Sequence, residues 1–209
     1  MRTTIYLIRH AATEANLADP PRLQGRKHNP PLAPLGIHQA LATRDLLAIR
    51  SIDACYCSPL ARAVQTATII AGPHGLMPIA DERLSEADVG KWEGMDWKQI
   101  RYLDAQNFQQ FMGNPAEVSY PGGENFTQVA LRATFAINDI IERHPGQTIL
   151  IVSHHIVNRT YLASLLGIGV ANARTVELDN CGISIVARDE ERTHVNTLNA
   201  SFHLQSLAA

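Results

Sequence analysis

Short apolar runs that alternate with helical patterns are the feature that most constrains the fold of this chain. The run at residues 3–8 (TTIYLI) ends abruptly in Arg9-His10, and the run at residues 149–152 (ILIV) ends in Ser153-His154. Residues 54–57 form a third short run. Continuous apolar runs are typical of strands buried on both faces of a parallel sheet. Strands separated by helices therefore predict an α/β fold, a three-layer α/β/α sandwich with a mostly parallel central sheet.

The remaining patterns fit a single domain over residues 1–209. Helical periodicity predicts helices at 35–49, 58–70, 124–143 and 156–166, with Ser58 as the N-cap of the second and Pro59 at its first position. Residues 183–187 and 194–198 predict a hairpin with a solvated, charged tip at 188–192. Residues 81–123 are the least regular part and hold both tryptophans. We predict that this segment is an insertion with one helix near 96–110 and forms a lid.

Composition excludes several broad classes of function. The formal net charge of −2 over 209 residues excludes a strongly basic nucleic-acid-binding protein. No apolar run approaches the ~20 residues of a membrane span, and the charged start of the chain does not resemble a secretory signal. Cys55, Cys57 and Cys181 are too few for a disulfide framework, which favours a reduced, cytoplasmic setting. We therefore expect neither a nucleic-acid partner nor a membrane partner, and a homodimer stays open.

Five residues that can carry chemistry fall at strand ends and turns. Ligands of open α/β sheets bind beyond the carboxyl ends of the strands, where Arg9, His10 and His154 are expected. Arg62 is expected in the first turn of a helix, and helix N-termini favour anions. Glu86 lies in a loop just before residues 90–94. Two arginines, two imidazoles and one carboxylate predict a pocket for a phosphoryl group, because guanidinium forks match phosphate oxygens.

The same residue types indicate a covalent mechanism. A histidine flanked by cations stays neutral and nucleophilic near neutral pH, and its attack on phosphorus would give a phosphohistidine. Glu86 is the candidate acid for the leaving alkoxide, since burial and a dianionic phosphate both raise the pKa of a carboxyl group. Water would then attack the phosphohistidine, with the ionised Glu86 as base.

Six motifs follow one another along most of the chain. They are residues 9–16 (RHAATEAN), 24–25 with 29–36 (QG and NPPLAPLG), 58–67 (SPLARAVQTA), 84–86 with 90–94 (LSE and GKWEG), 121–124 (PGGE) and 152–154 (VSH). In this order they resemble the motifs of the histidine phosphatase superfamily, the phosphoglycerate-mutase-like proteins. The resemblance implies that His10 is the phosphorylated nucleophile and Glu86 the proton donor. The residues implied to hold the phosphoryl group are Arg9, Arg62 and His154.

The resemblance also implies which residues face the substrate. Those residues are Thr13, Asn16, Gln24 and Gly25. One departure from the family pattern lies beside them, because His155 stands where glycine is usual and places a titratable ring next to the phosphate pocket. We expect His155 to narrow the site or to contact the leaving group.

Two further departures concern the backbone. Ala11 also stands where the family usually has glycine, and an alanine forced to a positive φ would cost about 1 kcal/mol. Alanine is harmless there if the position only needs a small residue. Ala33 replaces the usual threonine at a helix N-cap, which affects stability more than chemistry.

Several functions remain in competition. A mutase would exclude water and hold a sugar acid with extra basic residues, but residues 87–123 supply only Lys91, Lys98 and Arg101. A metal-dependent hydrolase using His10, His154, His155 and Glu86 would need spaced ligand motifs that the sequence lacks, so neither a metal nor another cofactor is expected. A catalytically inactive phosphate-binding protein is the non-enzyme alternative. We favour a metal-independent phosphatase that hydrolyses a small-molecule phosphomonoester, similar to the α-ribazole and broad-specificity phosphatases of the family.

Overall fold

The computed structural model describes residues 1–190 and 192–207. Its strands are β1 (Thr3–Arg9), β2 (Ala54–Cys57), β3 (Ile79–Ala80), β4 (Thr148–Ser153), β5 (Ile183–Arg188) and β6 (Thr193–Ala200). They form one sheet in the order β3-β2-β4-β1-β5-β6. β1 to β4 run parallel, while β5 and β6 run antiparallel at one edge. The expected mostly parallel sheet is confirmed.

The strands in the middle of the sheet are buried on both faces. β2 is buried throughout, and all residues of β4 after Thr148 are buried. β1 pairs with β4 in a register that sets Leu7 opposite Ile151. β6 lies at the edge and has no buried residue, which fits its polar sequence. Continuous apolar runs thus mark the strands that need helices on both sides.

Helices cover both faces of the sheet. The helices are α1 (Glu14–Leu17), α2 (Pro34–Leu47), α3 (Ala61–Ala71), α4 (Trp97–Leu103), α5 (Ala105–Gly113), α6 (Phe126–Arg143) and α7 (His155–Leu165). Apolar residues of α6 and α7 pack against one face of β1, β2 and β4. Apolar residues of α2 and α3 pack against the other face. This arrangement is the three-layer α/β/α sandwich expected from the sequence.

The predicted start of α3 is wrong. The helix begins at Ala61, and Leu60 rather than Ser58 occupies the N-cap position. The side chain of Asn29 caps the helix instead, because its Oδ1 accepts the N–H of Ala61 at 2.8 Å. Ser58 is fully buried, and its Oγ lies 2.7 Å from Nε2 of His154. A long-range cap from Asn29 and a polar partner just after β4 therefore outweigh the local capping preference of Ser58.

The single helix expected near 96–110 is also wrong, because α4 and α5 are separate helices. Asp104 lies between them with φ −141° and ψ 49°, which is not helical. Its carboxylate accepts the indole N–H of Trp92 at 2.8 Å and the amide N–H of Asn107 at 2.7 Å. Trp92 is fixed by edge-to-face contacts with Phe111 and Tyr120. The buried tryptophan therefore determines where the chain turns.

The hairpin of β5 and β6 matches the sequence prediction. In the predicted tip, residues 188–190 and Arg192 are described, whereas Glu191 lies outside the described residues. The three cysteines are buried and free. Among the helices that the structure describes, none is long and apolar enough to cross a membrane.

Candidate active site

The ends of β1, β2 and β4 meet at one edge of the sheet, as expected. The backbone N–H of His10 donates to the carbonyl of Ser153 at 2.9 Å, and that of Ser58 donates to the carbonyl of Val152 at 3.0 Å. The rings of His10 and His154 lie with their centroids 5.0 Å apart. The two imidazoles, which are far apart in the sequence, therefore belong to one site.

His10 is held as a neutral imidazole with a defined tautomer. Its Nδ1 lies 2.8 Å from the carbonyl oxygen of Ala11, and because a carbonyl can only accept, Nδ1 carries the hydrogen. Nε2 therefore keeps its lone pair. Burial, followed by the charges of Arg62 and Arg9, lowers the pKa of His10 well below 6.5. The side-chain amide of Asn180 donates to the carbonyl of His10 at 2.8 Å and fixes the backbone.

Two arginines supply the positive charge of the site. Arg62 is fully buried, and its Nη2 and Nη1 donate to the carbonyls of Gly25 (3.0 Å) and His28 (3.3 Å). Nη1 of Arg9 donates to the carbonyl of Leu178 at 2.7 Å. The Nε of each arginine is buried and has no hydrogen-bond partner within the described chain. Burial lowers both pKa values, that of Arg9 to about 10, so both stay charged at neutral pH.

His154 is bound to the end of β2 through Ser58. Ser58 Oγ accepts the N–H of Leu60 at 3.2 Å and lies 2.7 Å from Nε2 of His154. If the hydroxyl donates its hydrogen to Nε2, the hydrogen of a neutral His154 is on Nδ1. Nδ1 of His154 is buried without a partner among the described residues. Burial, Arg62 and His10 lower the pKa of His154 well below 6.5. His154 is therefore a neutral imidazole beside His10.

Glu86 is a buried carboxyl group at the N-terminus of α7. Its Oε1 accepts the N–H of Ala87 at 2.8 Å, and its Oε2 accepts the N–H of Ile156 at 3.4 Å. Burial raises the pKa of Glu86, and the Ala87 N–H and the charge of Arg62 only partly offset that effect. Such a group retains its proton at a higher pH than an exposed glutamate, as a general acid requires.

A charged network holds the backbone at Glu86. Nε of Arg26 and Nη2 of Arg132 donate to the carbonyl of Glu86 at 2.8 and 3.1 Å. Both arginines also donate to the carboxylate of Glu124. Oε2 of Glu124 also accepts the N–H of Asp88 at 2.8 Å. Glu124, the last residue of the PGGE motif, thus binds the segment that carries Glu86.

Two glycines allow the segment that follows Glu86 to pack closely against the PGGE motif at residues 121–124. Gly90 has φ +55°, and a Cβ there would lie 2.1 Å from the carbonyl oxygen of Pro121. A Cβ on Gly123 would lie 2.1 Å from the carbonyl oxygen of Asp88. Only glycine permits this approach of backbone to backbone. The close packing brings the acidic segment and the PGGE segment together.

The expected substrate-side residues divide into two groups. Asn16, Gln24 and His155 line a cavity of about 700 Å³ that also reaches His10. Thr13 is fully buried, and its hydroxyl lies 3.0 Å from Oδ1 of Asn16 and 2.9 Å from Oε1 of Gln24. Thr13 therefore supports the cavity wall from behind. Gly25 is also outside the lining, and its carbonyl accepts from Arg62.

The departures from the family pattern are accommodated. Among the described residues, Cys181 and Asn199 are the non-glycine residues with positive φ, so Ala11 carries no such strain. Its N–H donates to Oγ1 of Thr66 at 3.0 Å. Ala33 caps α2 without a side-chain hydrogen bond, and Pro34 begins that helix. Burial, Arg9 and Arg159 lower the pKa of His155 well below 6.5, so it adds no charge to the cavity.

Sequence reasoning missed several polar residues of this site, among them Arg22, which also lines the cavity. Arg159 and Arg174 line the cavity, and Asn180 binds the backbone of His10. Arg159 follows His155 by four positions on α7, so helical spacing would place the two on one face. Arg174 and Asn180 lie in irregular segments, where no periodic signal identifies them. Within residues 1–190 and 192–207, no group of three or more His, Cys, Asp or Glu side chains is placed to hold a metal ion.

A neutral, buried imidazole beside two arginines and a carboxyl of raised pKa is the arrangement of a phosphoryl-transfer site that uses histidine. The family model of the histidine phosphatase superfamily (branch 1) matches residues 5–201. The chain belongs to this superfamily, which confirms the resemblance seen in the sequence.

Individual relatives are similar over nearly the whole chain. Phosphoserine phosphatase 1 of Hydrogenobacter thermophilus is 31% identical over 200 residues, 96% of this chain and 93% of that protein. The structure of Bacillus stearothermophilus YhfR has a TM-score of 0.90 at 31% identity and covers 97% of this chain and 100% of its own. The alpha-ribazole phosphatase of Shigella flexneri has a TM-score of 0.84 at 29% identity and covers 96% of each chain. Relatives named as phosphoglycerate mutases match at 32% identity over 186 residues, 89% of this chain and 85% of theirs. The family and its phosphatase members confirm the expectation of a phosphoric monoester hydrolase of small metabolites.

Proposed function

We propose that this chain hydrolyses a small phosphomonoester by moving the phosphoryl group first to Nε2 of His10 and then to water, without a metal ion. The observation that carries the proposal is the hydrogen bond from Nδ1 of His10 to the carbonyl of Ala11, at 2.8 Å. It places the hydrogen on Nδ1 and leaves Nε2 as the nucleophile. Burial and the neighbouring charges of Arg62 and Arg9 lower the pKa of His10 and keep that nitrogen unprotonated.

In the first step, the bond from Nε2 to phosphorus forms while the bond from phosphorus to the ester oxygen breaks. Arg9, Arg62 and His154 each have a buried nitrogen without a hydrogen-bond partner in the described chain, and these donors suit the phosphoryl oxygens. The departing oxygen takes the proton of Glu86, whose raised pKa keeps that proton available.

In the second step, Glu86 acts as the base. The ionised carboxylate takes a proton from water, the oxygen of that water bonds to phosphorus, and the bond to Nε2 breaks. Inorganic phosphate leaves, and His10 and Glu86 return to their starting protonation states. The hydrogen bonds of Arg26 and Arg132 to the carbonyl of Glu86 position the carboxyl group for both steps.

We also propose that residues 81–123 act as the lid of the site within a single domain. Side chains of this segment line the cavity; among them are Trp97, Lys98, Phe108, Met112 and Tyr120. Asn16, Gln24 and His155 line the same cavity, which supports their assignment to the substrate. Thr13 acts through Asn16 and Gln24, and Gly25 acts through Arg62.

Rapid-quench labelling tests the central step. Wild-type protein mixed with a ³²P-labelled phosphomonoester should give an acid-labile, alkali-stable phosphoenzyme that then decays. His10→Ala should lose both the label and turnover, whereas His38→Ala, an exposed histidine on α2, should keep both. Turnover that is unaffected by EDTA would support the metal-independent route. Full activity of His10→Ala would overturn the mechanism.

Phosphoryl transfer of the phosphoglycerate-mutase type is the second candidate function, and one observation favours it. Residues 87–123 supply only three basic residues, but Arg159 and Arg174 bring further basic groups to the cavity from other segments. Adding alcohol acceptors to the phosphoenzyme distinguishes the two functions. A phosphatase should release inorganic phosphate at the same yield with and without acceptor, whereas a mutase should give a new phosphomonoester. A protein that binds phosphate but turns over no phosphomonoester would instead be an inactive binding protein.

The setting of the enzyme is also part of the proposal. The net charge of −2 gives no electrostatic basis for nucleic-acid or anionic-membrane binding, and three free, buried cysteines fit a reducing cytoplasm. Light scattering coupled to gel filtration will decide between a monomer and a homodimer.

A further inference from the structure

The wall of the cavity carries more positive charge than a phosphoryl group needs. Arg9 and Arg62 serve the phosphoryl end. Arg22 and Lys98 line the cavity with exposed side chains, whereas Arg159 of α7 and Arg174 of the turn at residues 170–175 line it with partly buried ones. Among the described lining residues, Glu86 is the sole carboxylate. In the acid form that its raised pKa favours, Glu86 cannot neutralise the five guanidinium groups and the one ammonium group of this lining.

Both additional arginines are fixed in place without being neutralised. Nε and Nη2 of Arg159 donate to the carbonyl of Val176 at 3.2 and 3.1 Å, which leaves Nη1 free of any described partner. Nη1 and Nη2 of Arg174 donate to the carbonyls of Met112 and Phe111, both at 3.3 Å. Within the described chain neither arginine forms an ion pair. Backbone carbonyls thus orient the two cations and leave their charge available.

The two charges also oppose each other. Burial lowers the pKa of both groups. For Arg159, Tyr120 and Glu86 partly offset that effect, and the charge of Arg174 lowers the pKa further. The guanidinium of Arg174 lies 5.0 Å from the centre of the Phe111 ring and 5.8 Å from that of Phe126, which holds it against an aromatic surface. An anion bound between the two arginines would relieve this repulsion.

We propose that the leaving group of the substrate carries a second oxyanion, a carboxylate or another phosphate, and that Arg159 and Arg174 bind it. This inference rests on the proposed function, because it assigns the substrate class of the same site. The rest of the cavity wall is largely apolar and includes Tyr120, Phe126 and Ile156. The substrate class is therefore a phosphomonoester in which an apolar or aromatic body separates the ester from a second anionic group.

A matched set of benzyl phosphates tests this assignment. The set comprises benzyl phosphate, 4-carboxybenzyl phosphate, 4-(aminomethyl)benzyl phosphate and the bisphosphate of 1,4-benzenedimethanol. Because hydrogen bonds to charged groups are strong, an anionic para substituent should raise kcat/KM by about 10-fold or more over benzyl phosphate. The cationic substituent should lower it. The better of the two anionic substrates identifies the oxyanion, and equal values for the anionic and cationic substrates would overturn the proposal.

Variants of Arg159 and Arg174 test whether these two residues cause the preference for an anionic substituent. Arg159→Met and Arg174→Met should each reduce the ratio of kcat/KM for the 4-carboxy compound over benzyl phosphate, whereas Arg159→Lys and Arg174→Lys should restore part of it. The lysine variants also cover the case in which a methionine variant fails to fold. Arg50→Met, at an exposed position outside the cavity, should keep the wild-type ratio. A ratio that survives in both methionine variants would refute the assignment.

A binding measurement separates this inference from the catalytic proposal. Calorimetry with His10→Ala, which cannot form the phosphoenzyme, should show tighter binding of 4-carboxybenzyl phosphate than of benzyl phosphate. If the wild type hydrolyses none of the compounds while this preference remains, the proposed function fails and the anion site stands. If the compounds are hydrolysed and bound without preference, the anion site fails and the proposed function stands.

Discussion

Replacing Arg132 by methionine should weaken both the fold and the acid role of Glu86. Nη1 of Arg132 donates to the carbonyls of Arg83 and Ser85 at 2.9 and 2.6 Å, and Nη2 donates to that of Glu86 at 3.1 Å. Nε and Nη2 also bind the two carboxylate oxygens of Glu124 at 2.8 and 3.0 Å. Methionine keeps the length and apolar volume of the side chain but removes every one of these donors.

The contacts of Arg132 set the expected size of the effect. Breaking a fully buried ion pair costs about 3–5 kcal/mol. The side chains of Arg132 and Glu124 are 18% and 19% exposed, so solvent screening reduces the expected cost. We expect a loss of roughly 2–3 kcal/mol. At about 2–4 °C per kcal/mol for a chain of this size, the melting temperature should fall by roughly 4–12 °C.

Thermal unfolding at pH 7 measures the loss of stability, with Arg50→Met as the exposed control. Steady-state kinetics measure the second effect, because a displaced Glu86 should slow benzyl phosphate, which has a poor leaving group, more than p-nitrophenyl phosphate. A melting temperature equal to that of the control would refute the structural role of the network. An equal slowing of both substrates would refute its effect on the acid.

Three further predictions concern the acid, His155 and the glycine contacts. Glu86→Gln should lower kcat on benzyl phosphate by about 10²- to 10⁴-fold and affect p-nitrophenyl phosphate far less, and equal losses in stopped assays would remove Glu86 from the acid role. Burial and then Arg9 lower the pKa of His155 in the folded state. Below pH 6.5 the unfolded chain therefore binds more protons at this residue than the folded chain does. The free energy of unfolding should consequently fall as the pH drops below that value. His155→Gln should make this decline shallower in denaturant titrations at several pH values, and an unchanged slope would contradict the burial argument. Gly90→Ala should destabilise the protein more than Gly94→Ala. Both glycines have a positive φ, but only at Gly90 would a Cβ lie 2.1 Å from a carbonyl oxygen, that of Pro121. Equal shifts of the denaturation midpoint in the two variants would count against this contact.

Several elements of the fold could be predicted because their signals are local. β1 and β4 were found from continuous apolar runs, and α6 from a periodic apolar stripe. Local rules failed where a distant group provides the hydrogen bond. Ser58 resembles a helix cap, but Asn29 caps α3 and Ser58 binds His154. The break at Asp104 likewise depends on the indole of Trp92 and could not be read from helical periodicity.

The candidate site shows the same difference between properties that depend on neighbouring residues and properties that depend on long-range contacts. The sequence by itself determined which strand ends meet, because parallel strands end at one edge of the sheet and bring the candidate residues His10 and His154 together. Only the tertiary structure decided which nitrogen of His10 is free, how Glu86 is held by Arg132 and Glu124, and that Arg159 joins the cavity wall. Periodicity and strand ends are properties of neighbouring residues. Tautomer, buried charge and cavity lining depend on contacts between residues that are distant in sequence, and packing alone creates those contacts.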